Sequence, residues 1–313
     1  FEIFKRLQKK INLKKKLLDT YGKNCKFKLH YIDHHLSHIS SAFYPSGFEN
    51  SLGLSIDGFG DFTSIAIADC TQRKIKIIKK ILFPNSLGVF YEAATQLAGF
   101  LKYGDEYKLM GLSAYGKPKY YELIKKNLFI DYDKNLELNL KHYNFQKKNF
   151  SYMFEGEPNQ NIIFDKSVKE LFKEFNNFSL DEINVEFKRD LASSTQKIFE
   201  EKLFRIIKDN KKNYENLSYA GGCALNSLAN GKIVKENIFK NMFVPFCPGD
   251  NGGSIGSALY LYKKKYPDFK TKNLCNPYLG KCYSKEEISS SLSKYRNLIS
   301  FKFIQNFDEL IKF

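Results

Sequence analysis

Apolar and polar positions alternate between short strand-like runs and longer helical ones along the 313-residue chain. Leu52–Ile56 forms a compact, mostly apolar run, and a glycine-rich turn separates it from the run Thr63–Ala68. Two such runs joined by a short turn predict an antiparallel hairpin. Further strands are predicted at residues 75–83, Asn216–Ala220 and Asn241–Phe246. A hairpin followed by alternating strands and helices favours an α/β or mixed-sheet fold.

A short strand and a helix are predicted before the hairpin. Lys26–Ile32 alternates apolar and polar residues, as a strand does. Asp33 follows at the position of a helix N-cap, and a helix is predicted from His34 to about Phe43. Pro45, Ser46 and Gly47 are expected to end it. This helix would therefore begin with a cluster of histidines.

Helical periodicity, and the glycine or proline residues that bound it, predict the remaining helices. These cover residues 1–20 and 181–208, most of 84–100, the segment after the turn 221–226, and the segment from about 253 to Tyr262. Residues 103–108 are predicted as a loop. Residues 119–178 are polar and rich in Asn, Lys and Phe, so we interpret them as an irregular insertion.

Composition narrows the class of protein. A hydrophobic content of 43% is enough for a globular core. No apolar run approaches the length that crosses a bilayer, and the charged opening Phe1–Arg6 is not that of a secretory signal. The six cysteines form no C-x-x-C pair, which predicts reduced thiols in a cytoplasmic protein. The chain does not begin with Met, so we take it as a piece of a longer protein.

The net charge of +16 is the main argument for a nucleic-acid partner. The excess comes almost wholly from Lys, because the chain has only five Arg, and specific base recognition depends mostly on Arg. The densest basic run, Lys9–Lys16, lies in the predicted first helix, where a solvated face explains it. We therefore expect neither a nucleic-acid partner nor a membrane.

The histidine cluster carries the first sign of chemistry. His34 and His38 are four residues apart, so they share one face of the predicted helix and can bind one metal ion. His35 points about 100° away. Asp57 ends a buried strand and Asp250 follows another, each beside glycines. Two His with one or two turn Asp would suit Fe(II), Mn(II) or Zn(II); the alternative is a surface histidine pair without a metal.

Three glycine-rich turns, at 57–60, 221–222 and 249–253, each follow a predicted strand. Glycine lets the backbone approach a phosphate, and a helix N-terminus offers free N–H groups. Together the turns favour a nucleotide beside the metal, although each alone is common without a ligand. The chain has neither a P-loop motif nor G-x-G-x-x-G after a strand. Lys108 could neutralise a phosphate oxygen or form a surface ion pair.

Six segments occur in a recognisable order. They are HHLSHISSAFYPS (34–46), LSIDGFGD (54–61), FPNSLGVFY (83–91), GDEYKLMGLSAYG (104–116), AGGCALNSLANGK (220–232) and PGDNGGSIGSAL (248–259). Over roughly residues 30–260 the chain thereby resembles the carbamoyltransferase family that includes NodU, CmcH and TobZ. In combination these segments are highly specific to that family.

The resemblance implies an α/β, actin-like ATPase fold with duplicated lobes of ribonuclease-H type, the first lobe being incomplete here. Residues 1–270 would be this actin-like domain, and 271–313 a linker and the start of a YrdC-like domain. The YrdC-like domain would make carbamoyl-adenylate from carbamoyl phosphate and ATP, and the actin-like domain would move the carbamoyl group to a hydroxyl. The resemblance implies a sugar or small-molecule acceptor, and it is compatible with a homodimer. The fragment alone is expected not to complete the reaction.

The resemblance also implies roles for individual residues. The metal, Fe(II) or another divalent ion, would be held by His34, His38, Asp57 and Asp250. ATP or carbamoyl-adenylate would lie against Asp57, Gly88, Gly222, Asn226 and Asp250. The catalytic candidates are His34, His38, Asp57 and Lys108. The general base stays open, with His35 and Asp61 as candidates.

Two other functions are compatible with the sequence. One is transfer to a tRNA adenosine, as in the related threonylcarbamoyl transferases, which the Lys excess favours slightly. The other is a non-catalytic nucleotide-binding or RNA-binding fragment. Metal and nucleotide binding without carbamoyl transfer would distinguish the second from an enzyme.

Overall fold

The computed structural model describes residues 13–22, 24–133, 136–147, 162–176, 184–269, 277–278, 280–304 and 306–311, with only the backbone at 174–176. The first twelve residues of the helix predicted at 1–20 lie outside this range. Contacts divide the chain into one unit, Phe1–Cys275, and a second, Asn276–Phe313. Whether the second begins a YrdC-like domain stays a prediction.

Helices and strands are mixed along the chain. The helices are α1 (Leu13–Tyr21), α2 (His34–Ser46), α3 (Leu87–Leu97), α4 (Glu106–Leu112), α5 (Tyr121–Leu128), α6 (Lys166–Asn176), α7 (Val185–Lys211), α8 (Ser227–Lys235), α9 (Gly253–Lys265), α10 (Lys285–Ser293) and α11 (Phe307–Ile311). The strands are β1 (Asn50–Gly60), β2 (Thr63–Thr71), β3 (Ile75–Leu82), β4 (Asn216–Ala220) and β5 (Asn241–Phe243). Among the described helices, none is long and apolar enough to cross a membrane.

Five strands form one sheet in the order β3-β2-β1-β4-β5. β1 pairs antiparallel with β2, which confirms the predicted hairpin, and parallel with β4. The hairpin turns through Asp61 and Phe62, which both have positive φ, as a tight turn between twisted antiparallel strands requires. Because β1 and β4 run parallel, the residues that follow Ile56 and Ala220 emerge at the same edge of the sheet.

Helices cover both faces of this sheet. On one face, Leu54 and Ile56 of β1 pack in the larger core with residues of α3 and α7. On the other face, Ala66 of β2 packs with Ile39 and Phe43 of α2. Burying each large aliphatic side chain contributes about 1.5–3 kcal/mol. The sheet edge that carries the glycine turns is thus held between two packed layers.

The sequence directs where α2 begins and ends. The Asp33 side chain accepts a hydrogen bond from Leu36 N at 2.9 Å, which confirms the predicted N-cap. The helix continues to Ser46, past its predicted last residue near Phe43, and Gly47, one of the three residues predicted to end it, caps it with a φ of 75°. Glycine takes this left-handed conformation without strain. The N-cap fixes which residues of α2 face the sheet edge.

Three local predictions are wrong. Residues 26–32 form no strand in the described structure, because they pair with no strand of the sheet and apolar alternation needs a hydrogen-bonding partner. Strand β5 ends at Phe243, because β4 pairs with it only at Asn216–Ser218. Residues 106–108, predicted as loop, already belong to α4.

The segment 119–178, predicted to be irregular, contributes ordered core where the structure describes it. Tyr120 and Phe172 pack edge-on with ring centroids 5.2 Å apart, and Phe187 of α7 joins them. Aromatic rings carry large apolar surfaces, and the segment has 13 Tyr and Phe against 10 Lys, so it can dock α5 and α6 on the core. Residues 148–161 lie outside the described range.

A buried lysine joins this segment to α7. The Lys202 amine donates a hydrogen bond to the Tyr132 carbonyl oxygen, and it lies 3.8 Å from the centroid of the Tyr132 ring. Lys202 is only 3% exposed. Burial, together with the nearby cation Arg205, lowers the pKa of its amine to about 8.

We expect Lys202→Met to remove part of the pH dependence of stability. The folded chain releases this proton near pH 8, whereas the unfolded chain holds it to about 10.5. Between these values the unfolded state binds more protons, so wild-type stability rises with pH, by up to about 1 kcal/mol per pH unit relative to the variant. Urea unfolding at about pH 7, 8 and 9 measures this.

The matched control is Lys208→Met, on the same helix but with a side chain that is 59% exposed. It should keep the wild-type pH profile. A constant free-energy difference between wild type and Lys202→Met over the whole pH range would contradict the prediction.

Candidate metal centre

Four side chains that the sequence singles out meet at the edge of the sheet. His34 and His38 come from the first turns of α2, Asp57 from the end of β1, and Asp250 from a short 3₁₀ helix, Asp250–Gly252, before α9. One ligand atom from each of the four lies within 4.8 Å of the others. Residues that are distant in the chain therefore face a common point.

The distances within this cluster fit a small divalent ion. The two histidine Nε2 atoms are 3.1 Å apart, and they lie 3.2 and 3.1 Å from Asp57 Oδ2. Asp250 Oδ1 lies 3.6 Å from His34 Nε2 and 3.3 Å from His38 Nε2. Ligands that each lie about 2.1 Å from one ion are about 3 to 3.5 Å from one another. The two nitrogens and two oxygens can thus hold one ion with little rearrangement.

Hydrogen bonds between histidines and aspartates favour the charged forms of His38 and Asp57. Burial alone would favour neutral His38, but hydrogen bonds to Asp250 and Asp57 outweigh it and raise its pKa to about 9. Burial would also raise the pKa of Asp57, but hydrogen bonds with His34 and His38 hold it well below its usual range. A metal must therefore displace a proton from His38, so metal binding is expected to release protons. Asp250 is 64% exposed, so the cluster opens to solvent on its side.

His35 has a structural role, although it was a candidate general base. Its Nε2 lies 2.8 Å from the Thr63 carbonyl oxygen, and its Nδ1 lies 2.8 Å from Ser55 Oγ. Burial lowers its pKa to about 4. A neutral ring that donates from Nε2 and accepts at Nδ1 satisfies both contacts. Since both nitrogens are engaged in the core, His35 has none to offer a substrate.

Asp61, the other candidate base, supports the start of α2. Its Oδ2 accepts a hydrogen bond from His34 N at 3.0 Å. The hairpin turn and the first helical residue are thereby joined directly. This contact orients the backbone that carries the first histidine of the cluster.

Gly88 and Gly222 lie against Asp57 and are called the glycine walls below, and Gly60 lies against His34. A Cβ atom at Gly88 would lie 2.8 Å from Gly58 N, and one at Gly222 would lie 2.9 Å from Asp57 Oδ1. A Cβ atom at Gly60 would overlap the His34 ring at 2.2 Å. Any side chain at these positions would therefore displace the cluster or the backbone beside it. Two of the predicted nucleotide-contacting residues, Gly88 and Gly222, thus lie directly against Asp57.

Two other predicted site residues are engaged elsewhere. The Asn226 side chain accepts a hydrogen bond from Ala229 N at the start of α8 and pairs with the buried Gln196. Lys108 Nζ forms an ion pair with Asp105 Oδ1 at 2.7 Å. None of these contacts involves the four clustered residues. The nucleotide-binding role of Asn226 and the catalytic role of Lys108 stay predictions.

Tyr103 interacts with two carboxylates of the cluster, and neither it nor the nearby Glu106 was singled out from the sequence. Burial raises the pKa of Tyr103 to about 12, and the carboxylates of Asp250 and Asp57 add to the effect. Burial also raises the pKa of Glu106. Both lie in or beside the segment 104–116, and no spacing rule separates them from surface residues.

Comparisons with known proteins identify relatives over most of the chain. Residues 3–259 match the family model described as Carbamoyltransferase N-terminus. The chain is 34% identical over 307 residues to the uncharacterized protein sll1178 of Synechocystis sp., covering 91% of this chain and 46% of that protein. It is 31% identical over 245 residues to the nodulation protein NolNO of Sinorhizobium fredii, covering 75% of this chain and 31% of that protein. The chain therefore spans less than half the length of either relative.

A solved structure is also similar at low identity. HypF of T. kodakarensis is 19% identical, with 80% of this chain and 39% of that chain covered, at a TM-score of 0.37. A TM-score of this size does not establish a common fold.

Proposed function

The chain belongs to the carbamoyltransferase N-terminal family, and from that premise we propose that it transfers a carbamoyl group from carbamoyl-adenylate to an acceptor hydroxyl. The carbamoyl-adenylate would be made from carbamoyl phosphate and ATP. A divalent metal, Fe(II) or another first-row ion, would assist the transfer. The acceptor would be a sugar or another small molecule with a free hydroxyl.

The observation that carries this proposal is the position of Asp57. Its Oδ2 faces His34 and His38, while its Oδ1 accepts a hydrogen bond from Gly58 N at 2.8 Å and borders Gly222. One carboxylate thus belongs to the four-ligand cluster and also contacts two glycine turns, the kind of backbone that can approach a phosphate closely. This arrangement suits a reaction in which a metal ion lies beside the bond that joins a carbonyl carbon to a phosphate oxygen.

The proposed step balances as an acyl transfer. The acceptor oxygen forms a bond to the carbamoyl carbon, the bond from that carbon to the phosphate oxygen breaks, and AMP leaves while the hydroxyl proton passes to a base or water. When bound, the ion held by the four-residue cluster would supply a Lewis acid for the carbonyl and phosphate oxygens. The glycines beside Asp57 would admit the phosphate, and the exposed side at Asp250 would admit the acceptor.

We further propose that residues 1–270 form part of an actin-like ATPase domain. The sheet order β3-β2-β1-β4-β5, with only β2 antiparallel to both neighbours, supports one lobe of ribonuclease-H type. Residues 271–313 would then be the linker and the start of a YrdC-like domain.

Transfer to a tRNA adenosine is the weaker alternative. Its support is the net charge of +16, whereas the segments GDEYKLMGL (104–112) and PNSLG (84–88) favour the NodU-type branch. Binding of tRNA that persists at physiological salt would favour the alternative, because non-specific binding by lysines falls steeply with salt.

We expect the purified chain to bind AMP, the proposed product, more tightly with Mn(II) than in EDTA. A cation in the cluster would offset the negative charge of Asp57 and Asp250 beside the phosphate, so binding of the metal should favour binding of AMP, and the reverse. Isothermal titration with AMP in both conditions measures this. Titration with ribose 5-phosphate is the control for phosphate binding alone. Absence of AMP binding in both conditions would contradict the proposed function.

A further inference from the structure

We propose that Gln196 is a positioning residue that holds the turn Gly221–Asn226 in place for nucleotide binding. This inference rests on the proposed function. Gln196 lies on α7 and is 4% exposed. Its described hydrogen bonds go to Tyr91, Glu200 and Asn226, and none goes to the metal cluster. It would therefore act through other side chains and not on the reacting atoms.

Both the oxygen and the nitrogen of the Gln196 amide form hydrogen bonds. Its Oε1 accepts hydrogen bonds from Tyr91 Oη at 2.8 Å and from Asn226 Nδ2 at 2.9 Å. Its Nε2 donates to Glu200 Oε1 at 2.9 Å and to Asn226 Oδ1 at 3.0 Å. Tyr91 and Asn226 also lie within hydrogen-bonding reach of each other. Three buried side chains, those of Tyr91, Gln196 and Asn226, thus form a closed ring of hydrogen-bonding groups.

The orientation of both amides is fixed independently from two ends. Glu200 accepts a hydrogen bond from the Lys232 amine, and its carboxylate can only accept, so Gln196 must point its NH₂ group at Glu200. At the other end, Ala229 N donates to Asn226, so Asn226 must present its carbonyl oxygen there. Both requirements give the same arrangement, and reversing either amide would bring donor against donor or acceptor against acceptor.

This ring joins two walls of the proposed nucleotide site from behind. Tyr91 lies on α3, whose first turn contains Gly88 against the Asp57–Gly58 backbone. Asn226 ends the turn that contains Gly222 against the Asp57 carboxylate. Gln196 therefore sets the separation of the two walls, and it does so on α7, a long helix packed in the main core.

Other contacts hold the first part of the turn, so Gln196 acts mainly at its last residue, Asn226. Gly221 N–H donates to the Pro248 carbonyl oxygen, and Ala224 is 2% exposed in the main core. Leu225, next to Asn226, is 63% exposed. Without the Gln196 amide, Asn226 and Tyr91 would each lose a buried partner, and the end of the turn at Asn226 would no longer be fixed against α3 and α7. A displaced turn would meet the nucleotide poorly while leaving all four metal ligands in place.

The test compares Gln196→Met with Gln96→Met. Each removes the hydrogen bonds of a buried glutamine at nearly constant volume. Gln96 is 6% exposed and accepts a hydrogen bond from Ile163 N at 2.9 Å, within the segment 119–178. For the 313-residue chain loaded with Mn(II), the measurements are AMP affinity by isothermal titration, bound metal per chain, and Tm.

We expect both variants to lower Tm, but only Gln196→Met to weaken AMP binding, by at least about 10-fold, the size of effect that supporting residues have on a bound group. Bound metal should stay at the wild-type ratio in both. If Gln196→Met does not fold, Tyr91→Phe carries the test, because it removes one hydroxyl from the same ring and should weaken AMP binding severalfold. In either folded variant, AMP affinity equal to that of wild type would overturn the inference alone. Failure of wild type to bind AMP would overturn the proposed function and this inference with it.

Discussion

His38→Ala is expected to abolish binding of the divalent ion. His38 is 1% exposed, and its Nε2 lies within 3.3 Å of ligand atoms from His34, Asp57 and Asp250. Removing the imidazole leaves one histidine and two carboxylates around a buried gap. Since even residues that only support metal ligands contribute about 10- to 100-fold in affinity, loss of a ligand should exceed about 100-fold.

Metal content after dialysis, measured by mass spectrometry, and a chelator competition with Mn(II) provide the readout. His30→Ala is the matched control, because His30 is exposed and lies outside the cluster. Asp250→Ala should have a smaller effect than His38→Ala, because Asp250 is largely solvent-exposed. Wild-type stoichiometry in His38→Ala would show that the cluster is an ion-pair network and not a metal site.

Gly256→Ala is expected to destabilise the chain strongly. A Cβ atom at Gly256, on α9, would lie 1.8 Å from the Ser37 carbonyl oxygen and 2.9 Å from Ser41 N, both on α2. These are main-chain atoms that cannot rotate away, so the two helices would have to separate. Overpacking typically lowers the free energy of unfolding by about 1–3 kcal/mol, and a clash with main-chain atoms is expected at the upper end of that range or beyond it.

The matched control lies on the same helix. Gly253 has nothing within 4 Å of its Cβ position, so Gly253→Ala should be neutral or stabilise the helix by up to about 1 kcal/mol. Urea unfolding of both variants measures the difference. Gly256→Ala should also weaken Mn(II) binding without changing a ligand, because α2 carries two of them. Equal stability of the two variants would contradict the close packing of α2 and α9.

The local features of this fold could be predicted because each depends on neighbours in the sequence. The hairpin follows from two apolar runs and a tight turn, and the start of α2 follows from Asp33 as N-cap. The strand predicted at 26–32 is wrong because pairing depends on a partner elsewhere in the chain. The segment 119–178 was misjudged because its polar residues hide a high content of aromatic rings, such as Tyr120 and Phe172, whose lack of a regular spacing gives no helix or strand pattern.

In the candidate site, too, features that depend on sequence neighbours could be predicted, and features that depend on remote partners could not. The i, i+4 spacing selected His34 and His38, and the glycines pointed to Asp57 and Asp250. Spacing alone could not show that His35, between the two histidines, is bonded to Ser55 and Thr63 in the core. Nor could it find Gln196, since its partners Tyr91 and Asn226 are remote in the sequence. Residues that support a site through buried polar contacts have no sequence pattern of their own.

The ligand order along the chain has a consequence for biosynthesis. His34, His38 and Asp57 leave the ribosome first, and Asp250 follows only after α7, β4 and β5 have been made. During that interval a nascent chain can offer two imidazoles and one carboxylate, a set that favours copper and zinc in the usual affinity order. Arrival of the last carboxylate changes the donor set and closes the coordination sphere. In the proposed metal site the full donor set therefore exists only once Asp250 has been made, 193 residues after Asp57 (250 − 57).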